Sequence, residues 1–407
     1  MTRTASRGLS AQAALLAAVS ALGQVAMVVA FAVIGRSQGP AVLGEVTVSL
    51  AVATIGASLV DFGSNSYWVR ELAAMRMTAD QFCQRAATKT IVGLMLGFVF
   101  TLFPLLWPEL RGYWYAGPLL TISLIVQTIR VPVRAKQWNR LLSGLILSEK
   151  VAMLGIFLFL AMYVHLAPKV AFVFSYVLGG LLATAIAYFM IRDHYRAWLP
   201  LINLANVWRG SRYYGLSQML LSMAGLDTII GTAVGGSAVA GTYGAVNRWT
   251  QPIGLATNAF ATLLAPEIAA AKDRKDVWER IRPTLWLPAA SVGIAFLMAL
   301  LADVLVVFVM GISFSASVNV LRVLCIAAAL GTANQSIQVV IQSRGRDRQS
   351  AQVLVWGICA QLVVAGPLTF RFGALGLALA SVLSQVVFLT GFVAILRRIH
   401  LRAGGAR

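Results

Sequence analysis

The chain has 407 residues, of which 59% are hydrophobic and 12% are charged, and its formal net charge is +19. A mean hydropathy of +0.80 is typical of helices that face lipid and excludes an ordinary soluble core. The charge does not indicate a nucleic-acid partner, because nucleic-acid binders gather basic residues on one face among aromatics. Cys83, Cys325 and Cys359 show no paired spacing, so we predict no disulfide framework, zinc site or other metal site.

Twelve apolar segments follow one another, each near the ~20 residues that a bilayer requires. The predicted spans are 11–34, 42–63, 88–107, 115–133, 143–164, 170–191, 213–235, 238–264, 284–309, 318–341, 350–369 and 373–396. The first span is not read as a cleaved signal peptide, because it exceeds the roughly 7–15 apolar residues of such a signal.

The basic residues lie almost entirely on one side of these spans. The two tails and the even-numbered gaps hold 26 of the 33 lysines and arginines, and the odd gaps hold only Arg36, Arg111, Lys169 and Arg371. Because basic residues resist translocation, this distribution predicts that both termini are cytoplasmic. The same charge would attract anionic lipid headgroups.

The longest cytoplasmic connection, 192–212, mixes aromatic and aliphatic residues with arginines and predicts an amphipathic linker helix at the membrane surface. It divides an N-terminal lobe, residues 1–191, from a C-terminal lobe, residues 213–407. A second such amphipathic stretch is predicted at 267–283.

The two lobes carry a weak internal repeat. Residues 39–44, GPAVLG, lie in the first outer hairpin of the N-terminal lobe, and residues 236–241, GSAVAG, lie 197 positions later in the first outer hairpin of the C-terminal lobe. Six spans per repeat preserve orientation, so the lobes are expected to be related by an axis along the membrane normal. The predicted fold class is an all-α polytopic membrane protein, with twelve transmembrane helices in two six-helix lobes around a central cavity.

Several motifs, in their order along the twelve spans, resemble one family. They are GPxxxG at 39–44, DFGSNSYWVREL at 61–72, DTIIG at 227–231, AGTYGAVNR at 240–248, AP at 265–266, VLRVL at 320–324 and GALGLA at 373–378. Together they resemble the polysaccharide (O-antigen type) flippases of the multidrug/oligosaccharidyl-lipid/polysaccharide (MOP) exporter superfamily. Ser64 replaces a bulky apolar residue of the family pattern, and Glu45 with Val46 replaces an aromatic one. These departures concern helix contacts rather than class.

The resemblance implies a MATE-like fold and a flippase function without a cofactor. The substrate would be a polyprenyl-diphosphate-linked oligosaccharide, a precursor of cell-surface polysaccharide, moved from the cytoplasmic to the outer leaflet of the bacterial plasma membrane by alternating access. A polysaccharide polymerase or the glycosyltransferases of the same pathway would be partners. Such a cavity needs cations for the diphosphate and amides for sugar hydroxyls.

Two charged residues are predicted at similar depth in the seventh and eighth spans. Arg248 lies ~15 Å from the outer end of its helix, and a charge at that depth marks a cavity or a partner. Asp227 precedes the same outer turn by eight residues. An Asp227–Arg248 ion pair and substrate contact by Arg248 are both open, and they coexist if Asp227 holds Arg248 towards the cavity. Asp227 is also a candidate site for a coupling proton or sodium ion.

In the N-terminal lobe, the fourth span carries Gln127, Arg130 and Arg134 at i, i+3 and i+7, which predicts a cationic strip on one helix face. Snorkelling to lipid phosphate is the alternative for both arginines. In the fifth span, Glu149 and Lys150 are adjacent and point about 100° apart. We therefore expect one of them, Lys150, to face the cavity.

In the C-terminal lobe, Asn334 and Gln338 share a face of the tenth span, with Gln342 at its end and Gln335 alongside. This spacing predicts a neutral amide strip for sugar hydroxyls opposite the cationic strip. Hydrogen bonding between helices is the alternative.

Two other function classes remain as alternatives. A membrane-embedded polymerase or assembly component needs a sizeable outer loop, whereas every outer gap here is short, and no catalytic triad, metal-ligand spacing or nucleotide motif is found. We therefore predict that the chain is not an enzyme. A multidrug or cation antiporter of the same superfamily would need intramembrane carboxylates, and Asp227 is the main one here.

Overall fold

The computed structural model describes residues 3–195, 199, 204–269, 286–343 and 346–404, and no strand occurs among them. Short 3₁₀ helices lie at Pro108–Tyr113, Leu204–Asn206 and Ile312–Phe314. The α-helices of the described chain are α1, Arg3–Asp61; α2, Ser64–Ala73; α3, Ala79–Leu106; α4, Ala116–Ile129; α5, Val131–Ala135; α6, Asn139–Met162; α7, Pro168–Ile191; α8, Arg212–Met223; α9, Leu226–Gly235; α10, Ser237–Ala269; α11, Trp286–Leu300; α12, Ala302–Met310; α13, Ser317–Ser343; α14, Asp347–Phe372; and α15, Ala374–Gly404.

These helices accommodate the twelve predicted spans. Within the described ranges, eight helical segments are long and apolar enough to cross a bilayer, and α11 with α12, bent by 71°, makes a ninth. The first segment, Ala18–Asp61, has 44 residues and holds the first two predicted spans, because ~66 Å of helix is twice the hydrocarbon thickness. The seventh span is divided between α8 and α9, and the eighth is α10.

The outer faces of the helices are apolar. Large side chains such as Phe98, Phe296, Phe308 and Phe370 are exposed, Phe370 by 84%. A contiguous apolar exterior of this kind is unsuited to water. By length, composition and exterior, the chain is an integral membrane protein.

The repeated hairpins adopt the same backbone geometry. Gly39 has φ 80° and ψ 178° inside α1, and Gly236 has φ 81° and ψ 172° between α9 and α10, a region open essentially to glycine alone. Five residues beyond each turn, Gly44 and Gly241 pack backbone to backbone. A Cβ on Gly44 would lie 1.8 Å from the Ser237 carbonyl oxygen, and one on Gly241 would lie 1.8 Å from the Pro40 carbonyl oxygen. The turns therefore bring the two lobes together at one end of the molecule, called the hairpin end below.

More contacts close the hairpin end. The Arg36 guanidinium Nε donates to the Val309 carbonyl at 3.0 Å, and a second nitrogen of the same guanidinium donates to the Phe308 carbonyl. These carbonyls belong to the last turn of α12, where a cation satisfies free acceptors. The Phe314 ring packs against Gly35, where a Cβ would lie 3.0 Å from the ring. The first span of the N-terminal lobe is thereby held against the C-terminal lobe.

At the opposite end, the motif at 61–72 forms a corner between α1 and α2. Lys89 of α3 is fully buried and donates to Asp61 Oδ1 at 2.9 Å, Ser64 Oγ at 3.0 Å and Asn65 Oδ1 at 2.7 Å. Its ammonium lies 4.2 Å from the centre of the Trp68 ring. The departure at Ser64 therefore has a structural reason, because the small hydroxyl accepts a hydrogen bond from a buried ammonium that a bulky apolar residue would leave unsatisfied.

The corner packs against the C-terminal lobe. Gly63 has φ 68°, and a Cβ there would lie 2.4 Å from the backbone of Tyr214 and Gly215 in α8. The Trp208 indole N–H donates to the Val60 carbonyl at 2.8 Å. In the predicted linker 192–212, the structure describes turns and a three-residue 3₁₀ helix, while 196–198 and 200–203 lie outside the described residues. Most of the predicted stretch 267–283 also lies outside them, and the lobe boundaries stay a prediction.

Candidate functional site

A cavity of about 380 Å³ lies between the lobes and is called the inter-lobe cavity. The second half of α1 contributes one wall, and α8, α9, α10, α14 and α15 contribute the others. Its polar lining side chains are Thr47, Thr54, Ser222, Asp227, Thr228, Tyr243, Asn247, Arg248, Gln251, Gln361, Ser381, Ser384 and Gln385. The break between α8 and α9 at Ala224 and Gly225 lies on this cavity, as expected, because interrupted helices within a membrane are tolerated where they line a cavity.

The inter-lobe cavity lies deep within the helical bundle. Arg248 follows the start of α10 by eleven residues, which places it about 16 Å from the hairpin end. The hydrocarbon core of a bilayer is about 30 Å thick, so this depth corresponds to its middle. The cavity thus surrounds a cation where an unsolvated charge is most costly.

Of the alternatives left open for Arg248, the structure does not show the ion pair with Asp227. The Arg248 guanidinium instead lies 5.0 Å from the centre of the Phe31 ring on α1, across the lobe interface. Asp227 accepts hydrogen bonds from the Tyr243 hydroxyl at 2.9 Å and the Gln361 amide at 3.1 Å. Tyr243 and Arg248 are five residues apart on α10, so their side chains point about 140° apart around the helix. Equal depth therefore did not bring Arg248 to the carboxylate that Tyr243 reaches.

The Asp227 carboxylate is held by neutral donors. Besides Tyr243 and Gln361, the Thr228 hydroxyl donates to Oδ1 at 3.0 Å, and the carboxyl group is buried in the wall of the inter-lobe cavity. Tyr243 also contacts Ser381 of α15, with 3.3 Å between the two oxygens. The carboxylate therefore joins α9, α10 and α14.

A neighbouring cavity of about 220 Å³, the amide cavity, is lined by neutral polar groups. They are Asn247, Thr250, Gln251, Thr332, Gln335, Ser381 and Gln385. Asn247, Gln251, Ser381 and Gln385 line the inter-lobe cavity as well, so the two cavities share a wall. Amide and hydroxyl groups of this kind both donate to and accept from sugar hydroxyls.

The predicted amide strip is only partly at this surface. Asn334 is buried, and its amide donates to the Gln385 carbonyl at 2.8 Å and to the Gln385 side-chain oxygen at 2.9 Å. It therefore joins α13 to α15, as in the alternative interpretation of helix-to-helix hydrogen bonding, and it positions Gln385. Gln338 lies one turn further along α13 and lines neither cavity, whereas Gln335 lines the amide cavity.

A third cavity, about 200 Å³ in volume, lies within the N-terminal lobe and is called the N-lobe cavity. It brings together Gln127, Arg130 and Lys150, with Glu149 and Tyr176 beside them. Glu149 and Lys150 both line it, and neither lines the inter-lobe cavity. Glu149 Oε1 accepts from Lys150 Nζ at 2.6 Å, so the two side chains are turned towards each other.

The predicted cationic strip is interrupted after Arg130. Helix α4 ends at Ile129, and Arg130 lies at the break before α5, which contains Pro132. Proline lacks a backbone donor and crowds the preceding turn, which favours a break in the helix at this point. Arg134 is exposed on α5 and does not line the N-lobe cavity.

Sequence reasoning missed several lining residues. Asn247 and Gln251 flank Arg248 and are four residues apart on α10, a spacing that could have shown a second polar stripe. Tyr176 follows a lone serine in an apolar helix, and nothing in its local sequence separates it from packing residues. Gln385 lies near Ser381 and Ser384, a spacing of i, i+3 and i+4 that could have shown a polar face of α15.

No protein-family model and no curated protein matches this sequence. Solved structures do resemble its fold. A multidrug resistance MATE family transporter of the MOP superfamily, in an inward-facing conformation, superposes with a TM-score of 0.70 at 16% identity, over 93% of this chain and 95% of the other.

The chain has the fold of MOP superfamily transporters. The lipid II flippase MurJ, in an inward closed conformation, gives a TM-score of 0.73 at 11% identity, over 94% of this chain and 87% of that one. An outward-facing MATE transporter of the superfamily gives a lower TM-score of 0.54 at 14% identity, over 96% of each chain. The all-α, MATE-like fold class is thereby confirmed.

Proposed function

We propose that this chain is a flippase that moves a polyprenyl-diphosphate-linked oligosaccharide across the bacterial plasma membrane. The observation that carries the proposal is the division of the deep cavities by chemistry. Arg248 lines the inter-lobe cavity, and the adjoining amide cavity is lined by neutral amides and hydroxyls. A guanidinium suits a diphosphate, and the neutral groups suit the attached sugars.

In this proposal the substrate enters with the hairpin end closed. The headgroup occupies the inter-lobe cavity while the polyprenyl chain stays in lipid, and opening of the hairpin end releases the headgroup to the outer leaflet. Both termini lie in the cytoplasm, as the basic residues indicate. The chain acts as a transporter without chemistry of its own, and the enzymes that assemble or polymerise the glycan are its partners.

The test is translocation of a short fluorescent polyprenyl-diphosphate glycan in proteoliposomes, scored by accessibility to an external lectin. Arg248→Ala is expected to lower the initial rate at least about tenfold, because a hydrogen bond to a charged group is worth roughly 1.5–3 kcal/mol. The matched control is Arg322→Ala, which removes a guanidinium that pairs with Asp303 on an exposed face of the same lobe. Its rate should stay within about twofold of wild type, as for surface ion pairs generally.

Equal rates for wild type and Arg248→Ala would remove Arg248 from the site. No lectin exposure with wild-type protein, under an imposed membrane potential or ion gradient, would contradict the flippase function.

A cation antiporter is the second candidate, and Asp227 is the observation that favours it. Its carboxylate lies in the wall of the inter-lobe cavity beside Gln361 and Tyr243. A carboxylate with other oxygen atoms nearby that can act as ligands attracts cations. Proton- or sodium-driven efflux of an organic cation by the same proteoliposomes, lost in Asp227→Asn, would favour the antiporter.

A further inference from the structure

Glu149 is the centre of the N-lobe cavity, and each of its carboxylate oxygens is bound to a different cation. Oε2 accepts from the Arg130 guanidinium at 2.5 Å, and Oε1 accepts from the Lys150 ammonium at 2.6 Å. The three side chains come from the α4–α5 break and from α6, and all of them are largely buried. The cations therefore face a cavity, but an anion of the protein already occupies their shared side.

The surroundings of the two cations leave them suited to another anion. Lys150 lies with its ammonium 5.0 Å from the centre of the Tyr176 ring, and its aliphatic part packs against Gly23 of α1, where a Cβ would lie 3.0 Å from Lys150 Cγ. Arg130 also donates to the Leu145 carbonyl at 3.4 Å, a long contact that is weak by geometry. Glu149 is the carboxylate that pairs with both cations, and each cation has further N–H groups that can donate to another anion.

The N-lobe cavity lies close to the inter-lobe cavity. Tyr176 lines the N-lobe cavity, and the centre of its ring lies 5.9 Å from that of Phe172, which in turn lies 6.0 Å from that of Phe31. Arg248 itself reaches into the N-terminal lobe, where it stacks on Phe31. A row of aromatic rings therefore connects Lys150, beside Tyr176, with Arg248, beside Phe31, and Glu149 pairs with the two cations of the N-lobe cavity.

We propose that Glu149 is an internal competitor that holds Arg130 and Lys150 until a diphosphate takes them over. This inference rests on the proposed function, because it treats the two cations as part of the headgroup path. A carboxylate brings one negative charge, whereas the diphosphate of a carrier lipid brings two and more acceptor oxygens. Glu149 then sets the affinity of the site, keeping both cations paired in the empty protein and weakening the hold on the headgroup so that it can leave.

The exchange has an electrostatic logic. Two unpaired cations in a buried cavity are costly, so an empty site without Glu149 would be unstable or would bind a stray anion. A carboxylate that swings away when a stronger anion arrives avoids both outcomes. Asp227, the carboxylate of the inter-lobe cavity, does not compete in the same way, because its acceptors are taken by Tyr243, Thr228 and Gln361.

The test is the affinity of purified protein in nanodiscs for farnesyl diphosphate, measured by titration calorimetry, with farnesol as the uncharged reference. Glu149→Gln keeps the shape and removes the charge, and it is expected to bind farnesyl diphosphate about tenfold more tightly, a difference of ~1.4 kcal/mol. A carboxylate with only a structural role predicts the opposite sign, because its loss would disorder the cation site. Unchanged or weaker binding by folded Glu149→Gln overturns the proposal.

The matched control is Glu45→Gln. Glu45 also lies in the N-terminal lobe and accepts from a lysine, Lys169, at 3.2 Å and from Tyr115 at 3.0 Å, but it lines none of the three cavities. Glu45→Gln changes the net charge by the same amount as Glu149→Gln. The affinity of Glu45→Gln for farnesyl diphosphate should stay within about twofold of wild type, as for contacts remote from a ligand. Equal tightening in both variants would mean a general charge effect and would overturn the proposal.

If Glu149→Gln fails to fold, Glu149→Asp keeps the charge while its shorter side chain cannot reach both cations. It should tighten farnesyl diphosphate binding by about threefold, a smaller effect because one cation stays paired, and unchanged or weaker binding overturns the proposal.

The calorimetry is separate from the lectin assay. Tighter binding without glycan translocation in any variant would support the exchange at Glu149 and contradict the flippase function.

Discussion

The second half of α1 and the first half of α10 occupy equivalent places in the two lobes, yet they bring different chemistry to the inter-lobe cavity. Each follows a glycine of nearly identical φ and ψ, and each packs on the other through Gly44 and Gly241. The four cavity-facing positions of α1 are Thr47, Leu50, Ala51 and Thr54, and those of α10, 197 residues later, are Gly244, Asn247, Arg248 and Gln251. The repeat thus keeps the backbone and changes the side chains.

The two lobes therefore share the backbone contact that closes the hairpin end, and they differ in the side chains that form the proposed binding surface. A second asymmetry supports this distinction. Asp227 and Tyr243 form a buried hydrogen bond in the C-terminal lobe, and the residues 197 positions earlier are Ala30 and Val46, both fully buried and apolar. The polar groups of the C-terminal lobe therefore cannot follow from the helix geometry that the lobes share.

The largest effect is expected from a substitution that disrupts the backbone contact shared by the two lobes at the hairpin end. Gly44→Ala places a Cβ against the Ser237 carbonyl at a separation that no real contact allows, and overpacking of this kind costs roughly 1–3 kcal/mol. We expect the two lobes to stay apart at the hairpin end and glycan translocation to fall about 10–100-fold. Gly241→Ala should match it, because its Cβ meets the Pro40 carbonyl at the same distance.

Spin-label distances across the hairpin end would report the opening directly. The control is Gly144→Ala, since a Cβ on that glycine of α6 meets nothing within 4 Å. Normal closure and transport in Gly44→Ala would show that the lobes do not need this contact.

An intermediate effect is expected from Asp227→Asn, which tests the buried polar network that only the C-terminal lobe has. The amide keeps the volume of the side chain, but its N–H₂ group would face the hydrogen-bond donors that bind the carboxylate in the wild type. The free energy of unfolding should therefore fall by about 1–3 kcal/mol. Thermal melting in detergent would measure the loss. Asp303→Asn is the comparison, because its pair with Arg322 is exposed and should be worth less than about 1 kcal/mol. Equal melting temperatures for the two variants would contradict a stabilising role of the Asp227 network.

The smallest effect separates the equivalent positions 54 and 251. Thr54→Val should change transport by less than about twofold, because the Thr54 hydroxyl donates to the Leu50 carbonyl of its own helix and such local bonds add little. Gln251→Leu removes an amide that faces two cavities, and transport should fall about fivefold, the equivalent of ~1 kcal/mol. The lectin assay measures both. Equal losses would mean that both lobes contact the headgroup alike.

Much of the fold could be predicted because lipid imposes a simple rule on sequence. Every predicted span lies on one or two of the described helices, and the repeated glycines predicted equivalent hairpins. The interruptions were harder to predict. The 71° bend between α11 and α12 occurs at Leu301. Because this position is neither proline nor glycine, the local sequence does not indicate a bend.

The candidate site was predicted less completely. Gln127, Arg130 and Lys150 do meet in one cavity, because helix spacing brought them to facing sides of neighbouring helices. The i, i+3 and i+7 spacing places Arg134 with Arg130 only on an unbroken helix, whereas α4 ends at Ile129. Spacing also does not distinguish a cavity face from a helix contact, and Asn334 makes a helix contact. Whether these residues bind substrate stays a prediction.

The sequence by itself determined the membrane class, the spans, the turn glycines and the side on which basic residues gather, since each depends on composition or on φ alone. Only the tertiary structure decided the partners of the buried charges. It placed Asp227 with Tyr243 and Gln361, Arg248 over Phe31, and Glu149 between Arg130 and Lys150. The physical reason is that a rotation of about 100° per residue separates side chains of equal depth, and only packing between helices fixes which faces meet.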